Sequence, residues 1–499
     1  MSYARKAMRG VGIIFFMNAL AYMVAYVTRL VLARKLGPAD YGLFYSVFVF
    51  VLFFLFFRDL GLTSALTKYI TEFNVHGKLN EIKTAILVVL GSQLAGSIIF
   101  SSVFFLSAGF LAKYYFKSPA AEWILKFMVI YTIGSVVFTF TKGFFSGFQK
   151  FRIYGYIDLV KNSLVLVMIT IFFYLNMDIL SPVLAYVLAG PLLALIFLPI
   201  MFKTYNPLKY DVVEVRPVTK SLYLFGLPVI MTDVGDKVIS YIDTIILTYF
   251  RPLAEIGVYN VVLPSAMTLL FPGMAVASVV FPIFAELWAK KDIKRLNEGV
   301  KLINKYTFII VGPLVMTIGV FADIFLRIFF GKEYVAGALA LQILLVGVLL
   351  FVVAGINHNI ISAIGYPKTV TKIILAAAAT NAIINIILIP KYGIEGAALA
   401  TTLSYALALV LSTYKVSQYI KTPMPIKIWI KTAVASFIFV GTTYSIKNIL
   451  PPMNPYAEIA IAAAGALSVY IISIFALKLI NINEIKTYAS KTFQKAQTF

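Results

Sequence analysis

Apolar stretches of about 20 residues, the length a helix needs to cross a bilayer core, follow one another along almost the whole chain. They are continuous, whereas a membrane strand alternates over about ten residues. About fourteen transmembrane helices are predicted, with cores near 11–32, 43–66, 84–111, 123–147, 156–175, 182–202, 221–250, 258–284, 303–330, 336–363, 371–389, 394–415, 428–448 and 457–479. The polar punctuation alternates in charge. Arg5, Lys6 and Arg9, Lys150 and Arg152, the stretches 203–220 and 290–305, Lys368 and Lys372, 415–431 and 478–495 fall on one side. The loops on the other side, 37–42, 113–122, 176–181, 251–256, 391–395 and 448–458, are short and near neutral. Basic loops stay in the cytoplasm, so both termini are expected there. The basic start MSYARKAMRG leads into a long apolar run without a small-residue cleavage site, and reads as a retained first helix.

Polar residues inside the apolar runs are the candidate chemistry. Span seven carries Asp233, Asp236, Lys237 and Asp243, near one face because they are separated by three, four and seven residues. An ionised group at membrane depth costs at least about 2.5–3.5 kcal/mol and usually faces a cavity. Asp233, Asp236 and Asp243 are candidates for ion coupling, since a desolvated carboxyl exchanges protons readily or binds a monovalent cation. An Asp233–Lys237 ion pair that satisfies only itself is the alternative. Span one holds Arg29, with Asn18, Tyr22 and Tyr26 one to three turns earlier. A guanidinium suits phosphate, or it snorkels to outer headgroups. Arg58 precedes Asp59 in span two, Lys142 lies in span four, Lys161 in span five, and His358 between Asn357 and Asn359 in span ten. Together with Lys237 these would line a cavity with positive charge. The lysines could instead be interfacial.

The chain also repeats. Ala39-Asp40-Tyr41-Gly42-Leu43-Phe44 returns as Ala254-Glu255-Ile256-Gly257-Val258-Tyr259, an offset of 215. Phe145-Ser146-Gly147-Phe148 aligns with Ile361-Ser362-Ala363-Ile364 at nearly the same offset. Six spans per repeat place both halves the same way up, with a site and a rocking motion at their interface. The expected fold class is an all-α integral membrane protein of two pseudo-symmetric six-helix bundles, 1–210 and 211–420, followed by two appended helices and a short cytoplasmic tail in 421–499. Pro228, Pro264, Pro272, Pro282 and Pro313 interrupt spans seven to nine and would bend them; proline is also simply commoner in membrane helices.

Composition agrees and excludes. Hydrophobic residues make up 61% and charged ones 13%, against about 25% charged in soluble domains, and the mean hydropathy is +0.92. The net charge of +22 is loop charge on a membrane protein, so nucleic acid is not the implied partner. There is no cysteine and there are only two histidines, which leaves no disulfide framework and no metal site of the usual kind. No phosphate-binding loop, HExxH or GxSxG motif occurs, so an enzyme is not expected.

Three motifs resemble the polysaccharide transporter family of the multidrug/oligosaccharidyl-lipid/polysaccharide superfamily. They are Leu32-Ala33-Arg34-Lys35-Leu36-Gly37-Pro38-Ala39-Asp40-Tyr41-Gly42 at the first loop, Arg58-Asp59-Leu60-Gly61-Leu62 closing span two, and Gly393-Ile394-Glu395-Gly396-Ala397-Ala398 opening span twelve. The resemblance covers essentially the whole chain. It implies a cell-membrane flippase that moves a polyprenyl- or dolichyl-(pyro)phosphate-linked glycan to the outer leaflet, among membrane lipids and alongside glycan-assembly enzymes. Arg29, Arg58, Lys142, Lys161, Lys237 and His358 would then line the substrate cavity. No cofactor is implied, and Na⁺ or H⁺ coupling stays open. The alternative is a cation-coupled multidrug exporter of the same superfamily, whose cavity would be acidic where this set is mixed to basic.

Overall fold

The computed structural model describes residues 3–421, 425–451 and 454–479. The side chains of Arg5, Lys6 and Arg9 and the basic tail from residue 480 lie outside the described part. Among the described residues every regular element is helical. The first run comprises α1 (Tyr3–Arg58), α2 (Leu62–Val75), α3 (Leu79–Tyr114), α4 (Ala120–Gly147), α5 (Phe151–Tyr174) and α6 (Leu180–Thr204). Then come α7 (Val215–Phe250), α8 (Leu253–Met267), α9 (Leu270–Ala289), α10 (Ile293–Val320), α11 (Ala322–Phe329), α12 (Ala338–Ala363), α13 (Pro367–Ile420), α14 (Ile426–Ile449) and α15 (Pro455–Ala476). Ten helices are long and apolar enough to cross a membrane among the described residues. The protein is therefore a multi-span integral membrane protein.

The two longest helices are not continuous. Gly37 in α1 has φ 70° and Gly393 in α13 has φ 55°, a region that a side chain disfavours and glycine enters freely. Each helix is two helical runs joined at that glycine, and both breaks fall in predicted outer loops. Other boundaries depart from the hydropathy pattern for local reasons. Predicted span 43–66 breaks between α1 and α2, where Leu60 and Gly61 take φ 49° and 71°. A Cβ on Gly61 would overlap the Gly226 carbonyl; α1 ends where two backbones touch. Predicted span 258–284 breaks between α8 and α9, just after Pro264.

Prolines inside these helices leave specific acceptors. A proline has no N–H for the carbonyl four residues earlier, and in a membrane such a carbonyl needs another donor. Pro264 thus frees the Asn260 carbonyl, which accepts from Arg29 Nη1 at 3.2 Å and from the Tyr41 hydroxyl at 3.4 Å. Pro313 frees the Ile309 carbonyl, which accepts from the Tyr470 hydroxyl of α15 at 3.0 Å.

The chain divides into two compact units, Met1–Val261 with Ala382–Ala397, and Val262–Asn381 with Ala398–Phe499. In the first, Leu62, Leu66, Ile82, Val89, Phe144, Phe145 and Leu222 build a core from α2, α3, α4 and α7. The repeated loop motifs meet in this unit. A Cβ on Gly42 would overlap the Leu253 carbonyl and lie 2.8 Å from Gly257 N, and a Cβ on Gly257 would overlap the Pro38 carbonyl. Pro38 and Leu253 are themselves separated by the repeat offset, so the contact is reciprocal. In the second unit, Ile309, Phe439, Ala466, Tyr470 and Ile474 pack α14 and α15 against α10.

Candidate functional site

The sequence-selected residues other than His358 lie in the first unit, and α1, α4 and α7 position most of them. Arg29 sits on α1, half-buried, with its guanidinium 4.5 Å from the centre of the Tyr45 ring and its Nη1 on the Asn260 carbonyl. Tyr41 and Tyr45, fully enclosed, lie 4.5 Å apart behind it. A cation over an aromatic face that also donates to a carbonyl is held in orientation.

Asp243 on α7 is the buried carboxylate of the set, 1% exposed. Its two oxygens accept from the Tyr259 hydroxyl at 2.5 Å and from Asn385 Nδ2 at 2.6 Å. Short bonds of this kind mark a charge-assisted pair of donors. The Asn385 Oδ1 beside it is buried and has no hydrogen-bond partner. Arg29 and Asp243 therefore engage consecutive residues of α8, Asn260 and Tyr259. Asp233 and Asp236, a few turns earlier on α7, are exposed, and Lys237 is half-buried with its ammonium 5.9 Å from the Tyr241 ring centre.

Arg58, 3% exposed, closes α1 inside a polar knot. It donates to Ser135 Oγ at 2.7 Å, the Thr132 carbonyl at 3.0 Å, Ser97 Oγ at 3.3 Å and Thr139 Oγ1 at 3.4 Å. Asp59 accepts from Gln93 Nε2 at 2.5 Å and Thr63 Oγ1 at 2.6 Å. The knot joins α1, α3 and α4 through a guanidinium whose fork reaches several acceptors at once. Further along α4, Lys142 pairs with Asp158 of α5 at 2.8 Å, each side chain about a quarter exposed. Lys161 lies 4.3 Å from the Phe138 ring centre and within the field of Asp158. Two lysines thus share one carboxylate and one aromatic face. His358 belongs to the second unit, on α12, where it is 8% exposed and its Nε2 has no partner. Its neighbour Asn357 donates to Thr413 and Ser412 at 3.2 and 3.4 Å.

Sequence reasoning missed Asp158, Gln93, Tyr259 and Asn385. Asp158 carried the signal already used for Lys161, a charge within an apolar span. The other three are uncharged, and nothing local distinguishes them from the chain's many other tyrosines and amides.

What the fold and these buried charges define is an all-helical membrane transporter, with no group of three or more metal-ligating side chains among the described residues. The polysaccharide biosynthesis protein family model matches residues 7–288, and the MatE model matches 228–387. The chain belongs to the polysaccharide biosynthesis protein family, within the multidrug/oligosaccharidyl-lipid/polysaccharide superfamily. It is 30% identical over 511 residues to the uncharacterized membrane protein MJ1068 of Methanocaldococcus jannaschii, covering 99% of this chain and 100% of that one. It is 29% identical over 234 residues to the "Probable low-salt glycan biosynthesis flippase Agl15" of Haloferax volcanii, covering 46% and 49%. Its fold matches that of a lipid II flippase, MurJ, in an inward closed conformation, with a TM-score of 0.76, 15% identity and coverage of 94% and 99%.

Proposed function

We propose that this protein is a flippase, not an enzyme, and that it moves a lipid-phosphate-linked glycan from the inner to the outer leaflet. The observation that carries the reading is Arg29, a guanidinium held in a transmembrane helix by the Asn260 carbonyl and the Tyr45 ring. A pyrophosphate headgroup needs such a countercharge at membrane depth, because an unpaired anion there is costly. The relatives named for glycan flipping support the same substrate class. Arg58, Lys142, Lys161 and Lys237 are proposed to line the cavity with Arg29 in the first unit, His358 is proposed as a substrate-lining residue of the second unit, and the carrier would be a polyprenyl or dolichyl lipid.

Ion coupling belongs to the proposal as well. Asp243, with the spare Asn385 oxygen beside it, offers a carboxylate and a neutral oxygen of the kind a monovalent cation takes; Asp233 and Asp236 are the exposed alternatives on the same helix. We further propose fourteen crossings, counting each glycine-broken helix twice and including α7 and the α8–α9 pair. Two six-helix bundles, 1–210 and 211–420, with two appended helices, a cell-membrane location and both termini cytoplasmic belong to the same proposal.

The test is headgroup translocation in proteoliposomes, using a pyrophosphate-linked oligosaccharide with a fluorescent sugar and an external quencher, with and without a cation gradient. Protein-dependent movement that Arg29→Ala weakens more for pyrophosphate lipids than for uncharged analogues is expected. No movement, together with gradient-driven uptake of a cationic dye, would replace this reading with the multidrug exporter.

A further inference from the structure

Between Arg29 and Arg58 the first unit holds aromatic rings that none of the roles above uses. Phe48 of α1 lies 4.5 Å from the Tyr186 ring of α6 and 5.5 Å from the Tyr131 ring of α4. The two tyrosine rings stand 6.2 Å apart and nearly perpendicular, at 87°. Tyr41 and Tyr45 are fully enclosed, whereas Tyr131 and Tyr186 are half-buried. The charges lie close by: Arg58 donates to the Thr132 carbonyl and to Ser135, next to Tyr131 on α4, and Arg29 lies over Tyr45, whose neighbour Phe44 is 5.8 Å from the Tyr186 ring.

We propose that Tyr131 and Tyr186 form a sugar-stacking site that receives the pyranose ring nearest the phosphate. The site rests on the flippase reading. The chemistry follows from the parts. A pyranose presents a face of polarised C–H groups, which suits the negative face of an aromatic ring, and an edge of hydroxyls, which suits a tyrosine O–H. Phe48 backs both rings and fixes their angle, so little rotamer freedom is lost on binding. Arg29, on the Tyr186 side, would place the phosphate beside the sugar.

The experiment compares binding of two probes to the full-length protein in nanodiscs: a polyprenyl phosphate carrying one hexose, and the same polyprenyl phosphate without sugar. The native protein should prefer the hexose-bearing lipid. Tyr131→Leu and Tyr186→Leu should each cut that preference by about two- to tenfold, the range an aromatic contact supports, and leave binding of the sugar-free lipid unchanged. The corresponding Tyr→Phe variants, which keep the ring, should retain most of it. Equal weakening of both lipids, or Phe variants as impaired as Leu variants, would overturn the stacking site while leaving the flippase reading intact. Native protein that binds neither lipid would remove both. If a Leu variant does not fold, 3-fluorotyrosine NMR of native protein decides: the Tyr131 and Tyr186 resonances, assigned from the Phe variants, should move with the hexose lipid only, and a shift shared by both lipids would refute the site.

Discussion

Arg29 donates to the carbonyl oxygen of Asn260 at 3.2 Å, and that carbonyl is the one Pro264 leaves without its helical donor. A helix break and a cation within an apolar span are therefore one feature. The proline creates an acceptor inside the membrane, and the guanidinium fills it while Tyr45 supports its face. The second unit repeats the device without a charge, through Pro313, the Ile309 carbonyl and the Tyr470 hydroxyl.

The uncharged copy is the cleaner test of the principle. Tyr470→Phe should lower stability by about 1–2 kcal/mol, because the Ile309 carbonyl loses a donor in a buried setting. Pro313→Ala supplies a backbone N–H to the same carbonyl, so the double variant should lose less than the two single changes predict. A cycle of thermal melts in detergent measures this coupling. Strict additivity would mean the hydroxyl does not act through that carbonyl.

Gly42 and Gly257 make a second prediction. Each would drive a Cβ into the other helix's backbone, at Leu253 and Pro38, and backbone cannot yield as a side chain can. Gly42→Ala and Gly257→Ala should each cost about 1–3 kcal/mol. Their effects should be less than additive, since the first substitution already separates the two segments. Gly91 in α3 has open space around it, so Gly91→Ala should raise the melting temperature through helix propensity alone.

These glycines also show how far the sequence could be read. The repeat that contains them is visible as a pattern, and so are the helical class and the charges inside apolar spans. That the two copies pack on each other is not visible, because an offset in sequence carries no direction in space. The same limit explains the site. Arg29, Arg58, Lys142, Lys161 and Asp243 stand out because charge is rare at membrane depth. Their partners Tyr45, Ser135, Gln93, Tyr259 and Asn385 do not, since Asn385 lies 142 residues from Asp243 and reaches it only through the fold. The break after Arg58 is hidden for a related reason: hydropathy runs through Asp59–Gly61, and the close approach of Gly226 is tertiary.

The Lys142–Asp158 pair is expected to be worth about 1 kcal/mol. Each side chain is about a quarter exposed, so water and salt still screen it. Asp158→Asn should do more than break that pair, because Lys142 and Lys161 would then face each other without a shared counterion. A double-mutant cycle with Lys142→Gln should accordingly show that the lysine substitution relieves part of the Asp158→Asn defect. No relief would place the two lysines in separate environments.

Arg58 separates geometry from charge. Its guanidinium reaches Ser97, Ser135, Thr139 and the Thr132 carbonyl together, and an ammonium on a single point cannot span that set. Arg58→Lys keeps the charge but should still lower stability by about 1–3 kcal/mol, the cost of buried acceptors left short of donors. If the lysine variant melts with the native protein, the knot is held by Asp59, Gln93 and Thr63 instead.

Asp243 is the proposed coupling group. Asp243→Asn preserves shape, and the buried Asn385 amide can turn its unpartnered Oδ1 toward the new NH₂ group while Tyr259 donates to the new carbonyl. The variant should therefore insert and melt within about 1 kcal/mol of native, since the flip only exchanges one unpartnered atom for another, Asn385 Nδ2 in place of its Oδ1. It has lost the negative charge that a bound cation or proton would neutralise. If a Na⁺ or H⁺ gradient accelerates translocation by the native protein in proteoliposomes, the variant should be insensitive to that gradient. Asp236→Asn, at an exposed position on the same helix, should leave gradient dependence in place if Asp243 is the coupling group. The reverse pattern, with Asp236→Asn uncoupled and Asp243→Asn responsive, would assign Asp243 to holding α7, α8 and α13 together and move the coupling site to the Asp233–Asp236 turn.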